Sequence, residues 1–277
     1  MFLENCEIIE NRKIDSNYFL MKIRSEKMAA NSKPGQFFML KCNRGLTILR
    51  RPISLHNVII SENILEFYYE VKGKGTEEFS KLLPGEFLNI QGPLGNGFNT
   101  EVREKTLLLI GGGMGMAPMK YLLNTLLEKE NKIIFIPGGR NSSALKILEN
   151  FETNRKNLEV HIMSDDGSSG SRGNVIEKMR EILKDNHIDM IFSCGPHRMM
   201  ELVGEIANEK EIPCQISLEE RMACGVKACV GCSIKTLDGM KKVCHDGPVF
   251  DSKIVVETMP ANPEPCLLYT SPSPRDS

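Results

Sequence analysis

Short apolar stretches separated by turn-forming residues fill the first hundred positions. Phe19-Leu20-Met21-Lys22-Ile23, Phe37-Phe38-Met39-Leu40 and Ile64-Leu65-Glu66-Phe67-Tyr68-Tyr69 are rich in strand-forming types and bounded by Pro, Gly and Asn. Many short strands with regular turn signals predict an antiparallel barrel over residues 1–102. The rhythm then changes. Thr106-Leu107-Leu108-Leu109-Ile110 is a continuous apolar run, the mark of a strand buried on both faces. A glycine cluster follows, then a helical pattern through Tyr121, Leu122, Leu126 and Leu127. Ile133-Ile134-Phe135-Ile136, Val160-His161-Ile162-Met163 and Met190-Ile191-Phe192-Ser193 continue the alternation with helical stretches between them. Strands alternating with helices imply right-handed crossovers and a parallel-sheet α/β domain over 103–210. A small cysteine-rich region follows over 211–257. No apolar period survives in 258–277, so disorder is expected there. From Cys266 onward the sequence also resembles a translated sequencing adaptor, and it is set aside as an artefact.

Composition narrows the class. At 277 residues, 41% hydrophobic and 26% charged, the chain is long enough for two domains with real cores. Its 35 Lys+Arg balance 36 Asp+Glu, and a net charge of −1 speaks against a nucleic-acid partner, which needs a basic excess. No run of about 18 apolar residues calls for a membrane span. Phe2-Leu3-Glu4-Asn5-Cys6-Glu7 lacks the basic flank and apolar core of a signal peptide, so the expected compartment is the cytoplasm. Thiols stay reduced there, and clustered cysteines more often hold metal than form disulfides.

Nine cysteines are present, and four crowd together: Cys224, Cys229, Cys232 and Cys244. Their spacing, C-x4-C-x2-C-x11-C, is of the plant-type [2Fe–2S] kind. Gly225, Gly231 and Gly239, with Ala223 and Ala228, keep side chains small enough for backbone amides to approach bridging sulfides. A structural zinc or four reduced thiols in a loop are the other readings.

Elsewhere the candidate chemistry is weaker motif by motif. Arg50-Arg51-Pro52-Ile53-Ser54 offers an arginine fork suited to a pyrophosphate with a hydroxyl beside it, although a solvated basic pair would look the same. In Gly73-Lys74-Gly75-Thr76, Thr76 is expected to cap a helix through Leu83, and free amides at its start would suit phosphates. Gly111 to Pro118 lies between a buried strand and a helix, as dinucleotide binding requires, but it is not a clean GxGxxG. Pro137-Gly138-Gly139-Arg140 stands where an ordinary Rossmann dehydrogenase carries its acidic residue. Arg140 would tolerate a 2′-phosphate, so these residues leave NADH and NADPH open. Cys194-Gly195-Pro196 ends the last strand at the ligand-binding edge of such sheets; a buried thiol is the plainer reading of Cys194. Asp165-Asp166-Gly167 ends another strand and reads equally as a turn.

Together, in this order, the motifs resemble the ferredoxin reductase superfamily. Glu219-Glu220-Arg221-Met222-Ala223-Cys224-Gly225-Val226-Lys227-Ala228-Cys229-Val230-Gly231-Cys232, then Cys244 and Asp246-Gly247-Pro248-Val249-Phe250, narrow the resemblance to electron-transfer subunits of class 1B dihydroorotate dehydrogenase. It covers residues 1 to about 257. The resemblance implies FAD on Arg51, Pro52, Ile53 and Ser54, on Tyr68, Tyr69 and Glu70, and on the phosphate turn Gly75-Thr76. It implies NAD on Gly111, Gly113, Gly115 and Pro118 and on Cys194, Gly195 and Pro196, and a [2Fe–2S] cluster on Cys224, Cys229, Cys232 and Cys244. It also implies an FMN-containing catalytic partner that oxidises dihydroorotate to orotate for pyrimidine synthesis, in a heterotetramer with two subunits of each kind. The small subunit of an NADPH-linked ferredoxin oxidoreductase, or sulfide dehydrogenase, is the alternative within the superfamily. A zinc-stabilised binding module is the alternative outside it.

Overall fold

The computed structural model describes residues 1–42 and 48–255, so the tail set aside above lies outside the described residues. Seven strands form the first unit: β1 (Phe2–Asp15), β2 (Tyr18–Arg24), β3 (Phe37–Cys42), β4 (Arg51–Ser54), β5 (Asn57–Ile59), β6 (Ile64–Glu70) and β7 (Phe87–Leu94). Two short helices, α1 (Glu26–Asn31) and α2 (Lys74–Ser80), interrupt them. Every ladder is antiparallel, in the order β4-β3-β7-β1-β2-β6-β5. The expected barrel is therefore a curled sheet, or half-barrel, whose end strands β4 and β5 share no ladder among the described residues. Alternation along the strands points Ile8, Met21, Ile23, Phe38, Leu40, Phe67 and Leu88 into its hollow. β1 carries only two well-buried side chains, Cys6 and Ile8, in fourteen residues, which hides it from an apolar-pattern reading.

The second unit alternates strand and helix: β8 (Thr106–Gly112), α3 (Met119–Leu127), β9 (Lys132–Gly139), α4 (Ser142–Leu145), β10 (Leu158–Val160), β11 (Met163–Ser164), β12 (Ser171–Arg172), α5 (Val175–Asp185), β13 (Met190–Cys194), α6 (His197–Glu209) and β14 (Cys214–Ser217). In β8 and β9, Leu108, Ile110, Ile134 and Ile136 pack into one core while Leu107, Leu109, Ile133 and Phe135 pack into another. This two-sided burial is what the unbroken apolar runs require. The run expected as one strand at 160–163 is split between β10 and β11. Both pair with β9, and at the break the Ile162 carbonyl turns to accept from the Ser171 N–H at 2.9 Å.

The cysteine region contributes a hairpin, β15 (Ser233–Thr236) and β16 (Gly239–Lys242), then β17 (Val249–Asp251) and α7 (Ser252–Val255). β17 pairs antiparallel with β14, giving the large sheet the order β12-β11-β9-β8-β13-β14-β17. Segments on both sides of the boundary expected at 210 thus share one sheet. The half-barrel is clamped to the α/β unit by buried polar contacts. The Lys120 ammonium meets the Glu66 carboxylate at 2.7 Å, and the Tyr121 N–H donates to the His56 carbonyl at 3.0 Å. His56 Nδ1 lies 2.7 Å from the Ala117 carbonyl, so that nitrogen carries the ring proton. Burial, aided by the nearby Lys120 charge, lowers the His56 pKa to about 4 and keeps the ring neutral.

Candidate functional site

Two adjoining cavities lie where the half-barrel meets the parallel sheet. The smaller, about 260 Å³, has Pro52, Ile53 and Ser54 from β4, Tyr68 and Tyr69 from β6, and Thr76 from α2 in its wall. The Tyr69 hydroxyl is engaged by Asn11 at 3.0 Å. Among the described residues the Tyr68 hydroxyl is buried without a partner, and such an orphan costs free energy unless a ligand satisfies it. The aromatic wall and the unpaired hydroxyl fit a planar heteroaromatic ring system such as a flavin.

The arginine pair divides its work. Arg50 is spent on the half-barrel, donating to the Met39 carbonyl at 3.3 Å and to Asn89. Arg51 donates to the Leu49 carbonyl at 2.7 Å, and its side chain lies against Gly75, where a Cβ would collide with it. Gly75 thus makes room for Arg51. Thr76 is not the helix cap, which corrects the sequence expectation. α2 begins one turn earlier with Gly73 at the N-cap, and Thr76 Oγ1 accepts from the N–H groups of Lys72 at 3.0 Å and Gly73 at 3.3 Å.

The larger cleft, about 1030 Å³, opens at the C-terminal ends of β8, β9, β11 and β13, the edge where open α/β sheets bind ligands. Gly113, Gly115, Gly195 and Pro196 line it; Gly111, Pro118 and Cys194 do not. Gly115 is there for close approach: a Cβ would stand 2.5 Å from the backbone of Cys194 and Gly195. Gly115→Ala should therefore force the two turns apart. The expected cost is about 1–3 kcal/mol in urea unfolding, with a weakened NADH affinity by fluorescence titration. Unchanged stability and affinity would show that the turns can yield.

Four residues belong to both cavities: Glu70, Lys72, Met114 and Glu219. Met114 and Glu219 lie within motifs named above and Lys72 does not, but no motif reading brings the three together, because they converge from three separate loop ends. Proximity to the known motifs is their only signal. The stretch from Ser217 to Met222 walls the smaller cavity and runs directly into the first clustered cysteine.

The four cysteines stand as two pairs. Cys224 and Cys229 have their sulfurs 3.3 Å apart, and Cys232 lies beside Cys244. Among the described residues no three or more His, Cys, Asp or Glu side chains close around one point. Two irons, each taking two thiolates, ask for pairs, whereas a tetrahedral zinc asks for all four at one centre. The N–H groups of Val226 and Cys229 point at the Cys224 sulfur, both at 3.4 Å. Burial would raise that thiol, but these donors and the Cys229 thiol outweigh it and bring the pKa to about 7. Cys244 is instead pushed up to about 11 by burial, with the Cys232 thiol adding to the effect. Gly225 sits at φ +68, and a Cβ there would strike Met39, so the loop packs onto β3. Gly239 serves the β15–β16 turn instead of approaching the cysteines.

A half-barrel joined to a parallel sheet across two cavities, with the segment that walls the smaller one leading into a four-thiol loop, defines a ferredoxin-reductase-type oxidoreductase. Residues 219–256 match the iron-sulfur cluster binding domain of dihydroorotate dehydrogenase B, and residues 109–205 match the oxidoreductase NAD-binding domain. The electron transfer subunit of dihydroorotate dehydrogenase B (NAD(+)) from Caldanaerobacter subterraneus subsp. tengcongensis is 37% identical over 250 residues, covering 88% of this chain and 95% of that protein. The subunit of the same name from Clostridium acetobutylicum is 36% identical, covering 88% and 93%. Among solved structures, the NADH-dependent reduced ferredoxin-NADP oxidoreductase aligns with a TM-score of 0.80 at 27% identity, over 92% of this chain and 91% of that one. A ferredoxin NADP+ reductase from Neisseria gonorrhoeae with bound FAD and NADP shares the fold, with a TM-score of 0.63 at 15% identity, over 75% and 91%. The chain belongs to the family of electron transfer subunits of dihydroorotate dehydrogenase B (NAD(+)).

Proposed function

We propose that this chain carries electrons from a catalytic partner, which oxidises dihydroorotate to orotate on its own FMN, to NAD+ in the service of pyrimidine synthesis. In this reading Cys224, Cys229, Cys232 and Cys244 hold a [2Fe–2S] cluster. Arg51 to Ser54, Tyr68 to Glu70 and Gly75-Thr76 hold FAD, and Gly111 to Pro118 with Cys194 to Pro196 form the NAD side. The cluster carries single electrons, and the flavin exchanges them with the two-electron hydride of the nicotinamide. One observation carries the reading: the smaller cavity takes its wall both from the nucleotide cleft's Met114 and from the segment leading into Cys224. The residues themselves hold the ring system between aromatic and aliphatic walls, exclude water and keep the thiols close to backbone donors.

The domains follow as 1–102 for FAD, 103–210 for NAD and 211–257 for the cluster. Among the described residues no helix is long and apolar enough to cross a membrane. A cytoplasmic setting, where free thiols persist, suits the cluster. The small subunit of a ferredoxin oxidoreductase is the second reading, and the 27% identical structural relative favours it. Co-expression with the dihydroorotate-oxidising subunit tests the choice. The expected result is a stable heterotetramer with flavin and iron–sulfur absorbance that reduces NAD+ with dihydroorotate. Zinc without iron or flavin, or assembly only with an iron–sulfur-rich glutamate-synthase-like partner, would overturn it.

A further inference from the structure

Hydride exchange and electron entry make different demands on the joint between the two cavities. A hydride passes only when the reacting atoms stand about 3–3.5 Å apart and aligned. An electron arriving from a cluster needs no such contact. The joint therefore has to be held more closely on its nucleotide side than on its cluster side. We propose that His56 is the positioning residue that does so, a proposal that rests on the functional reading above. His56 lies between β4 and β5 with none of its surface exposed. From the half-barrel it reaches across to the turn Gly113–Met116. Its Nδ1–H donates to the Ala117 carbonyl at 2.7 Å, and the Ala117 N–H donates in turn to the Met114 carbonyl at 2.9 Å. Met114 stands in the wall of both cavities, and Ala117 in the wall of the smaller one. The same imidazole adjoins Tyr68, another wall residue, with ring centroids 5.7 Å apart. One buried side chain thus meets a wall residue from each of the two units.

Packing alone does not call for this side chain. Among the described residues His56 Nε2 is buried without a partner, and such an orphan costs about 1–3 kcal/mol. An apolar residue would fill the space beside Tyr68 and Phe151 without that cost. What the imidazole adds is the donor at Nδ1. The other polar links across the joint reach a different element. Lys120, paired with Glu66, and Tyr121, whose N–H meets the His56 carbonyl, both lie on α3. They fix that helix against the half-barrel, and the His56 side chain extends the hold to the turn before it.

The test uses the assembled complex with its catalytic partner. His56→Leu keeps an apolar side chain in place and removes the donor. Single-turnover reduction of bound flavin by saturating NADH should slow by at least about 10-fold, toward the roughly 100-fold that a 1 Å misplacement can cost. Flavin reduction by dihydroorotate should stay within about twofold, because the cluster side needs no such alignment. His56→Asn puts an amide donor where Nδ1 stood and should recover most of the NADH rate, although its smaller side chain leaves a cavity and lowers stability. His56→Gln, whose amide reaches the Nε2 position instead, should not recover it. Amide hydrogen exchange reads the turn without turnover. The Ala117 N–H should exchange about 10-fold faster in His56→Leu, as for one lost hydrogen bond, and return toward wild type in His56→Asn. Equal slowing with NADH and dihydroorotate, no recovery in His56→Asn, or unchanged exchange at Ala117 would overturn the proposal. Should His56→Leu lose its flavin, His56→Asn against His56→Gln decides on the same readouts, and equal behaviour of the two overturns it. A wild-type complex unable to carry electrons from dihydroorotate to NAD+ would refute the functional reading itself, leaving the NADH step and the exchange at Ala117 to judge His56.

Discussion

Cys229→Ser should abolish electron transfer with the catalytic partner while leaving NADH oxidation by artificial dyes in place. The sulfur of Cys229 pairs with Cys224 at 3.3 Å, and its backbone N–H is one of the donors holding the Cys224 thiolate. Serine keeps the N–H but offers an oxygen poorly suited to a soft iron–sulfur site. Loss of an outer-shell partner alone costs 10–100-fold at metal sites, so loss of a direct ligand should exceed about 100-fold in the coupled reaction. The nucleotide cleft takes none of its wall from residues 224–244, so the hydride side has no reason to change. Parallel assays of dihydroorotate-linked NAD+ reduction and NADH–dye reduction on anaerobically prepared protein decide the point. Loss of both activities in equal measure would show that cluster and flavin are not separable steps.

The same two assays bear on how the segments are joined. Gly225 rests on Met39, and Asn96, just past β7, donates to the His245 and Asp246 carbonyls at 3.1 Å. The cysteine loop is therefore docked on the half-barrel while its last strand completes the parallel sheet. A loop held from both sides has little freedom to change its distance from the smaller cavity. That rigidity suits electron transfer, in which the path must persist through each turnover.

What could be read from the sequence was whatever a local period or spacing records. The two-sided burial of β8 and β9 shows as unbroken apolar runs, and the cysteine spacing survives into paired thiols. β1 leaves no apolar signature because only two of its fourteen side chains, Cys6 and Ile8, are well buried. The start of α2 was misplaced because Thr76, a good cap by type, turns its hydroxyl back to the amides of Lys72 and Gly73 from inside the first turn. Lys72, Met114 and Glu219 were invisible as a group because nothing local links a residue after β6, one after β8 and one after β14. Only the closing of two sheets on each other brings them together.

Lys120→Met should weaken the joint between the two main units in a pH-dependent way. Lys120 on α3 and Glu66 on β6 meet at 2.7 Å with side chains only 13% and 5% exposed, and Asn57 adds a hydrogen bond to Glu66 at 3.1 Å. Burial acts to raise the Glu66 pKa, but the Lys120 charge and hydrogen bond, with the Asn57 amide, hold it below the usual 4.5. A depressed carboxylate contributes stability above its unfolded pKa and loses it as pH falls through the folded value. Removing Lys120 leaves Glu66 buried with Asn57 and a distant Lys22 at 3.9 Å, so burial should then raise its pKa. The variant's Glu66 would be comfortable only when protonated, and its stability should fall as pH rises past the unfolded value of 4.5. The expected destabilisation at neutral pH is about 3 kcal/mol, as for other buried pairs broken from one side. In a chain of this size that lowers Tm by roughly 6–12 °C. The gap to wild type should narrow as pH is lowered toward 4.5, because protonated Glu66 no longer needs the cation. Urea unfolding across that interval gives the difference directly. A gap that stays constant with pH would mean that lost packing of the lysine stem, not the stranded carboxylate, sets the cost.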